Sequence, residues 1–270
     1  MAFRFGCNTL YPHGRLPSEE TVFDLAAHRE SLALIRSCGF DGCEFSHYQH
    51  LQPEEQTALR AVCAELGLIP SSAHSWVPLP GAVANVAAAL PRLHASLAGA
   101  ARLGVSVMVL HAAGGEADDR RNALGQTLRD LAPAAEKAGI TLAIENCSSR
   151  ADLEFLIATV DALALPAVGF NIDTGHAVLH GMTPAEAIRL MGRRLVTTHL
   201  QDNFGKRDDH LPPGKGTIDW VATRDALLEV RYQGMFMVEI SDCPPEREPL
   251  PREDTQAAHD FLHKLFGIRA

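Results

Sequence analysis

Six residues with donor side chains fall at comparable places in the chain, each at or near the end of a short apolar run. His74 stands near the end of residues 69–75, and His111 closes 105–111. Glu145 closes 140–145, Asp173 closes 168–173, His199 closes 195–199, and Glu239 stands near the end of 235–240. A carboxylate beside an apolar core is unfavourable unless it is paired or bound to a metal. Three carboxylates converging on one place would repel one another, and a divalent cation resolves that repulsion. Oxygen ligands with one imidazole suit Mn²⁺, Mg²⁺, Co²⁺ or Zn²⁺. Taken singly, each carboxylate is as compatible with a salt-bridged strand end, and each histidine with an interior hydrogen bond. The joint recurrence is what points to a metal.

Two further apolar runs, 3–9 and 42–46, bring the strand-like segments to eight. Helix-like stretches alternate with them at about 18–37, 53–66, 83–103, 117–138, 151–160, 184–191, 218–230 and 252–266. Such alternation implies parallel strands joined by helical crossovers. No Gly-x-Gly-x-x-Gly follows the first run, which disfavours an open dinucleotide-binding sheet. The expectation is an α/β fold, a single (β/α)8 TIM barrel over residues 1–270, with no linker or low-complexity run dividing it. Active sites of such barrels lie at the C-terminal strand ends, so the six residues would share one mouth.

The net charge of −9 and a pI of about 5.8 give no electrostatic help to phosphate-backbone binding, which weighs against nucleic acid as a partner. Arg120-Arg121 and Arg193-Arg194 are too short to make a basic surface. None of the six cysteines (Cys7, Cys38, Cys43, Cys63, Cys147, Cys243) forms a C-x-x-C pair, so reduced thiols and a cytoplasmic location are expected. No signal-peptide pattern opens the chain, and no apolar stretch reaches the roughly 18 residues of a membrane span.

Three segments together resemble the xylose-isomerase-like barrel superfamily: Ala143-Ile144-Glu145-Asn146, Asp173-Thr174-Gly175-His176, and His199-Leu200-Gln201-Asp202-Asn203 leading to the Pro-Gly-x-Gly turn at 213–216. That superfamily contains sugar and sugar-phosphate isomerases and epimerases, related dehydratases, and endonuclease IV. The resemblance implies that Glu145, Asp173, His199 and Glu239 bind one divalent metal, with Glu145 and Glu239 as acid and base. The chemistry it implies is proton transfer through an enediolate of a small-molecule sugar or sugar phosphate, the metal acting as Lewis acid. Endonuclease IV offers a second reading, a zinc-dependent nuclease acting at abasic sites. There His74 and His111 would share a metal with Glu145, while His176, Asp208 and His210 would hold another. His176 and His210 are equally open to binding substrate or tying down the loop. A non-catalytic carbohydrate-binding barrel is the third reading. Barrels of this type often associate, so a homo-oligomer is among the expectations.

The long segment at about 201–216 exceeds ordinary loop lengths, as functional loops often do. Arg207 and Lys215 in it are candidates for phosphate or sugar oxygens, against a reading as solvated charges. Trp76 is placed either to stack on a sugar ring or simply to pack, and Trp220 to pack the following helix onto the loop, with ring stacking as its alternative. Glu44 reads as a structural hydrogen-bonding group, and His47 and His50 as solvated or rim residues.

Overall fold

The computed structural model describes residues 3–9, 24–46, 48–240 and 252–268. The alternation resolves into β1 (Phe5–Asn8), α1 (Leu25–Ser37), β2 (Gly42–Ser46), α2 (Pro53–Leu66), β3 (Ile69–Leu79), α3 (Val86–Leu103), β4 (Val107–Ala112), α4 (Ala117–Ala138) and β5 (Thr141–Glu145). It continues through α5 (Arg150–Leu163), β6 (Val168–Asp173), α6 (Thr174–Leu179), α7 (Pro184–Met191), β7 (Leu195–His199), α8 (Trp220–Glu229), β8 (Phe236–Val238) and α9 (Arg252–Leu265). Local chemistry sets several boundaries. Thr183 and Glu186 form a reciprocal capping box at the start of α7, with Pro184 in its first turn. Gly139 ends α4 at φ +69°, a conformation that would strain any residue with a Cβ.

All eight strands are parallel, in the order β7-β6-β5-β4-β3-β2-β1-β8. The seam between β7 and β8 closes differently from the rest. Leu200 bridges Val238, and the Thr198 hydroxyl accepts from the Met237 N–H at 2.9 Å and donates to its carbonyl at 3.3 Å. Backbone bonds from Leu200 N–H to Met237 and from Glu239 N–H to Leu200, at 2.8 and 3.2 Å, together with this hydroxyl close the sheet into a barrel. This is the (β/α)8 fold that the alternation implies.

Two apolar layers result. The larger lies between strands and helices and includes Ile35, Phe40, Leu93, Leu128, Phe170 and Leu262. The smaller one fills the barrel: Val107 and Val109 of β4 meet Ala143 of β5, with Val196 of β7 against them. Beside them, Met235 and Met237 occupy the space a Cβ would take at Gly6. Because strand side chains alternate, Val107, Val109 and His111 rise in turn along one face. The inner wall therefore changes from aliphatic floor to imidazole mouth within five residues of β4.

Some expected boundaries shift. The third strand runs on to Leu79, and Val83–Asn85 is a 3-10 turn preceding α3. The short α6, not set apart in the sequence pattern, contains too few turns to show periodicity. The first part of the helix expected at 18–37, together with His47 and Cys243, lies outside the described residues. Among described cysteines all are free thiols; Cys43 and Cys63 touch at 3.6 Å between sulfurs. Among described residues no helix is long and apolar enough to cross a membrane.

Candidate metal centre

The centre is built around His199, which ends β7 and is fully buried. Its Nε2 contacts both oxygens of Glu44 at 3.0 and 3.1 Å, and Glu44 also accepts from the Ser72 hydroxyl at 2.6 Å. A proton on Nε2 donated to Glu44 leaves Nδ1 with a free electron pair, the arrangement by which a carboxylate commonly orients a metal-binding histidine. Nδ1 then lies 3.0 Å from Glu145 Oε2 and 3.1 Å from Glu239 Oε2. Despite those distances, Nδ1 has no hydrogen-bond partner of acceptable geometry. The nitrogen and the two oxygens face a common point and not each other. Ligand atoms about 2.1 Å from one ion stand roughly 3.0–3.4 Å apart, so the spacing fits a shared cation.

Asp173 joins Glu145 and His199, their ligand atoms within 4.8 Å of one another, while Glu239 falls in a neighbouring group with Glu44, His74 and His199. The Asp173 carboxylate caps α6 by accepting from the His176 N–H at 2.7 Å. Asn146 clamps its backbone, accepting from Asp173 N–H at 2.7 Å and donating to its carbonyl at 2.9 Å. Asn171 donates to Glu145 Oε2 at 2.9 Å, which fixes that carboxylate from the neighbouring strand.

His74 and His111 form the second part of the mouth. Their Nε2 atoms are 3.1 Å apart, and they stand 3.9 and 3.4 Å from the two oxygens of Glu145. His74 Nδ1 is also 3.7 Å from Glu239 Oε1. The third part comes from the loop after β7. Asp208 Oδ2 is flanked by His176 Nε2 at 3.1 Å and His210 Nε2 at 2.9 Å, while Gln201 donates to its other oxygen at 2.7 Å. His210 adopts φ +46°, an uncommon conformation for a residue with a Cβ, and one that turns its ring toward Asp208.

The loop holds this geometry because it is wrapped on a buried carboxylate. Asp202 accepts from Asn203, Gly214 and Ile218 N–H groups and from the Trp220 indole at 2.8 Å. Gly216 passes so close that a Cβ there would lie 2.3 Å from Asp202 Oδ1. Trp220 thus packs α8 onto the loop, as its position in the sequence suggests.

Without a cation, the electrostatics are unbalanced. Burial pushes the Asp173 carboxyl up to about 7, with His176 opposing and Glu145 and Glu239 adding repulsion. Burial would likewise raise Glu145 and Glu239, but the surrounding imidazoles, His199 foremost, together outweigh it and hold both well below the usual carboxylate range. The histidines answer in kind. Burial lowers them, yet facing carboxylates raise His111 to about 11, His210 to about 9, and His176 and His199 well above the ordinary imidazole value. A buried set of carboxylates and imidazoles with unpaired, convergent atoms fits a divalent cation.

The remaining candidates lie at the rim. Trp76 is 46% exposed, with its ring 6.4 Å from that of His74. Arg207 is exposed and pairs with Asp209 at 2.8 Å, and Lys215 is exposed. His50 is exposed too. Two participants carry more than the sequence suggests. Glu44 is structural, as expected, but its partner is the central histidine. Cys147, read only as a reduced thiol, stands 3.8 Å from Glu145 Oε1. The signal for Glu44 was a lone acid in the strand Gly42–Ser46, every residue of which is buried.

Comparison with known proteins follows the same lines. The family model described as "Xylose isomerase-like TIM barrel" matches residues 32–265. An uncharacterized protein of Methanocaldococcus jannaschii is 30% identical over 135 residues, which cover 46% of this chain and 46% of that protein. A D-psicose 3-epimerase of Enterocloster bolteae is 29% identical over 172 residues, 56% of this chain and 55% of that one. The chain therefore spans about half the length of these two curated relatives. A crystal structure of a D-psicose 3-epimerase in the presence of D-fructose superposes with a TM-score of 0.79 at 18% identity, covering 98% of this chain and 100% of that chain. At that identity the likeness is one of fold.

Proposed function

We propose that this chain, which belongs to the xylose isomerase-like TIM barrel family, is a divalent-metal-dependent sugar epimerase or isomerase. One observation carries the reading: Glu145 at the end of β5 and Glu239 just past β8 come from strands three steps apart around the barrel and meet on one buried imidazole nitrogen. Glu145, Asp173, His199 and Glu239 would hold the ion. When bound, it supplies Lewis acidity to the oxygens of a 2-hydroxy carbonyl compound. Reaching the reacting carbon from different walls, the two glutamates can remove a proton on one face and return it on the other. Asn171 keeps Glu145 oriented, and Glu44 keeps the His199 Nδ1 lone pair inward. Trp76 offers an apolar face to a sugar ring at the rim. The name of the Enterocloster relative supports epimerisation of a ketose.

A second reading has its own observation. His74 with His111, and Asp208 with His176 and His210, supply more donors than one ion needs. An endonuclease of the abasic-site type would use them for about three zinc ions. The acidic charge balance weighs against it.

The test is solvent-proton exchange. The metal-loaded protein is incubated in D₂O with a panel of ketoses, aldoses and their phosphates, and carbon-bound deuterium is followed by NMR. Exchange with at least one free ketose is expected, and Glu145→Gln or Glu239→Gln should reduce it by about 10²–10⁴-fold. Full activity in both variants would sink the mechanism. Nicking of an abasic duplex without sugar exchange would move the assignment to the second reading, and sugar binding without exchange to a carbohydrate-binding barrel.

A further inference from the structure

We propose that Cys147 is itself a metal ligand, holding with Glu145 Oε1 and His176 an ion beside the position that Glu145 Oε2, His199 and Glu239 face, and giving that corner a preference for zinc-class ions over magnesium and manganese. The inference rests on the metal-dependent reading above but concerns a residue that reading does not use.

Cys147 stands two residues beyond Glu145, where β5 gives way to the loop before α5. Its Sγ is 3.8 Å from Glu145 Oε1. The same oxygen lies 3.0 Å from His176 Nδ1 and 3.4 Å from His111 Nε2. The ligand atoms of Glu145, Cys147 and His176 all lie within 4.8 Å of one another. A sulfur about 2.3 Å and an oxygen about 2.0 Å from one zinc ion stand roughly 3.5 Å apart in a tetrahedral site. The observed sulfur–oxygen separation is close to that edge.

An independent observation points to a ligand in this corner. His176 Nδ1 is a buried atom with no hydrogen-bond partner, although a carboxylate oxygen lies 3.0 Å away. Nitrogen and oxygen are close without pointing at each other, as at His199. The other described cysteines differ in kind. Cys7, Cys38, Cys43 and Cys63 are buried among apolar core side chains, whereas Cys147 is partly exposed and surrounded by donor groups.

Thiolate is a soft ligand that selects zinc-class ions, while oxygen-only sites suit magnesium and manganese. On coordination the S–H bond breaks, its proton passes to solvent, and the sulfur electron pair bonds the ion. No oxidant or reductant is required.

Cobalt substitution tests this directly. Co²⁺ is added to the metal-free wild type, to Cys147→Ser and to Cys147→Ala, and absorption spectra are recorded. The wild type should show visible d–d bands and a strong sulfur-to-cobalt charge-transfer band in the near ultraviolet. Both variants should keep the d–d bands and lose the charge-transfer band. In direct competition, their preference for Zn²⁺ over Mn²⁺ should fall by about tenfold or more. Wild-type d–d bands without charge transfer, or charge transfer that survives in both variants, would overturn the ligand role of Cys147 and leave the metal-dependent reading intact. Failure of the wild type to bind Co²⁺, Zn²⁺ or Mn²⁺ would overturn both.

Discussion

The floor and the mouth of this barrel are lined by the same strands and obey opposite rules. At the floor, Val107, Val109 and Ala143 exclude water and leave no polar atom to satisfy. Two residues further along β4 and β5, Glu145 brings a carboxylate into a space as buried as the floor, and His111 brings an imidazole to its half-open edge. The floor is stable by itself, because apolar burial needs no partner. The mouth is not: burial and the facing charges push Asp173 and the imidazoles toward their protonated forms while Glu145 and Glu239 stay charged, an imbalance that a cation would relieve. The lesson is that a shared scaffold can put stability at one end of a strand and latent affinity at the other.

The sharpest way to break this contrast is through pH. If facing carboxylates keep His111, His210, His176 and His199 protonated near neutrality, an incoming ion must expel those protons. Metal affinity should then rise with pH, by about tenfold per unit for each proton released. It should fall correspondingly on acidification. A metal titration in weakly buffered solution with a pH indicator counts the protons. An affinity that stays flat between about pH 6 and about pH 8 would mean that the mouth is not poised in this way.

A smaller effect is expected one layer out. Glu44→Gln keeps the shape beside His199 but weakens the hold on its Nε2–H. Metal affinity should drop by about 10–100-fold while the metal-free melting temperature changes little. Calorimetric titration beside thermal melts separates the two. Unchanged affinity would show that β7 packing alone orients the imidazole.

The least effect on the mouth is expected from the floor. Val109→Ala should lower global stability by about 1–2 kcal/mol through lost burial. Metal affinity should remain within about threefold of wild type, since the two sites share strands but no polar contacts. Denaturant melts and the same titration measure it, and a large loss of affinity would erase the division between floor and mouth.

Much of this design was legible in the sequence. Apolar runs ending in Glu145, Asp173 and His199 coincide with the ends of β5, β6 and β7. The two strand-end residues least well marked, His74 and Glu239, lie inside a longer strand and just past a shorter one. Their runs lacked a sharp stop, because Trp76 and Val77 continue one and Ile240 the other.

What the sequence by itself determined was the period: two-residue alternation against helical repeats, repeated eight times, brings every strand end to one face. What only the tertiary structure decided was which donors share an atom. Glu44 reaches His199 across 155 positions, and Gln201 links Asp173 of β6 to Asp208 of the loop. Cys147 gains its meaning from His111 and His176, which come from other strands and helices. Such pairings are set by barrel closure and side-chain direction. Neither leaves a local trace, since a residue's type is chosen by neighbours in space that its chain neighbours do not reveal.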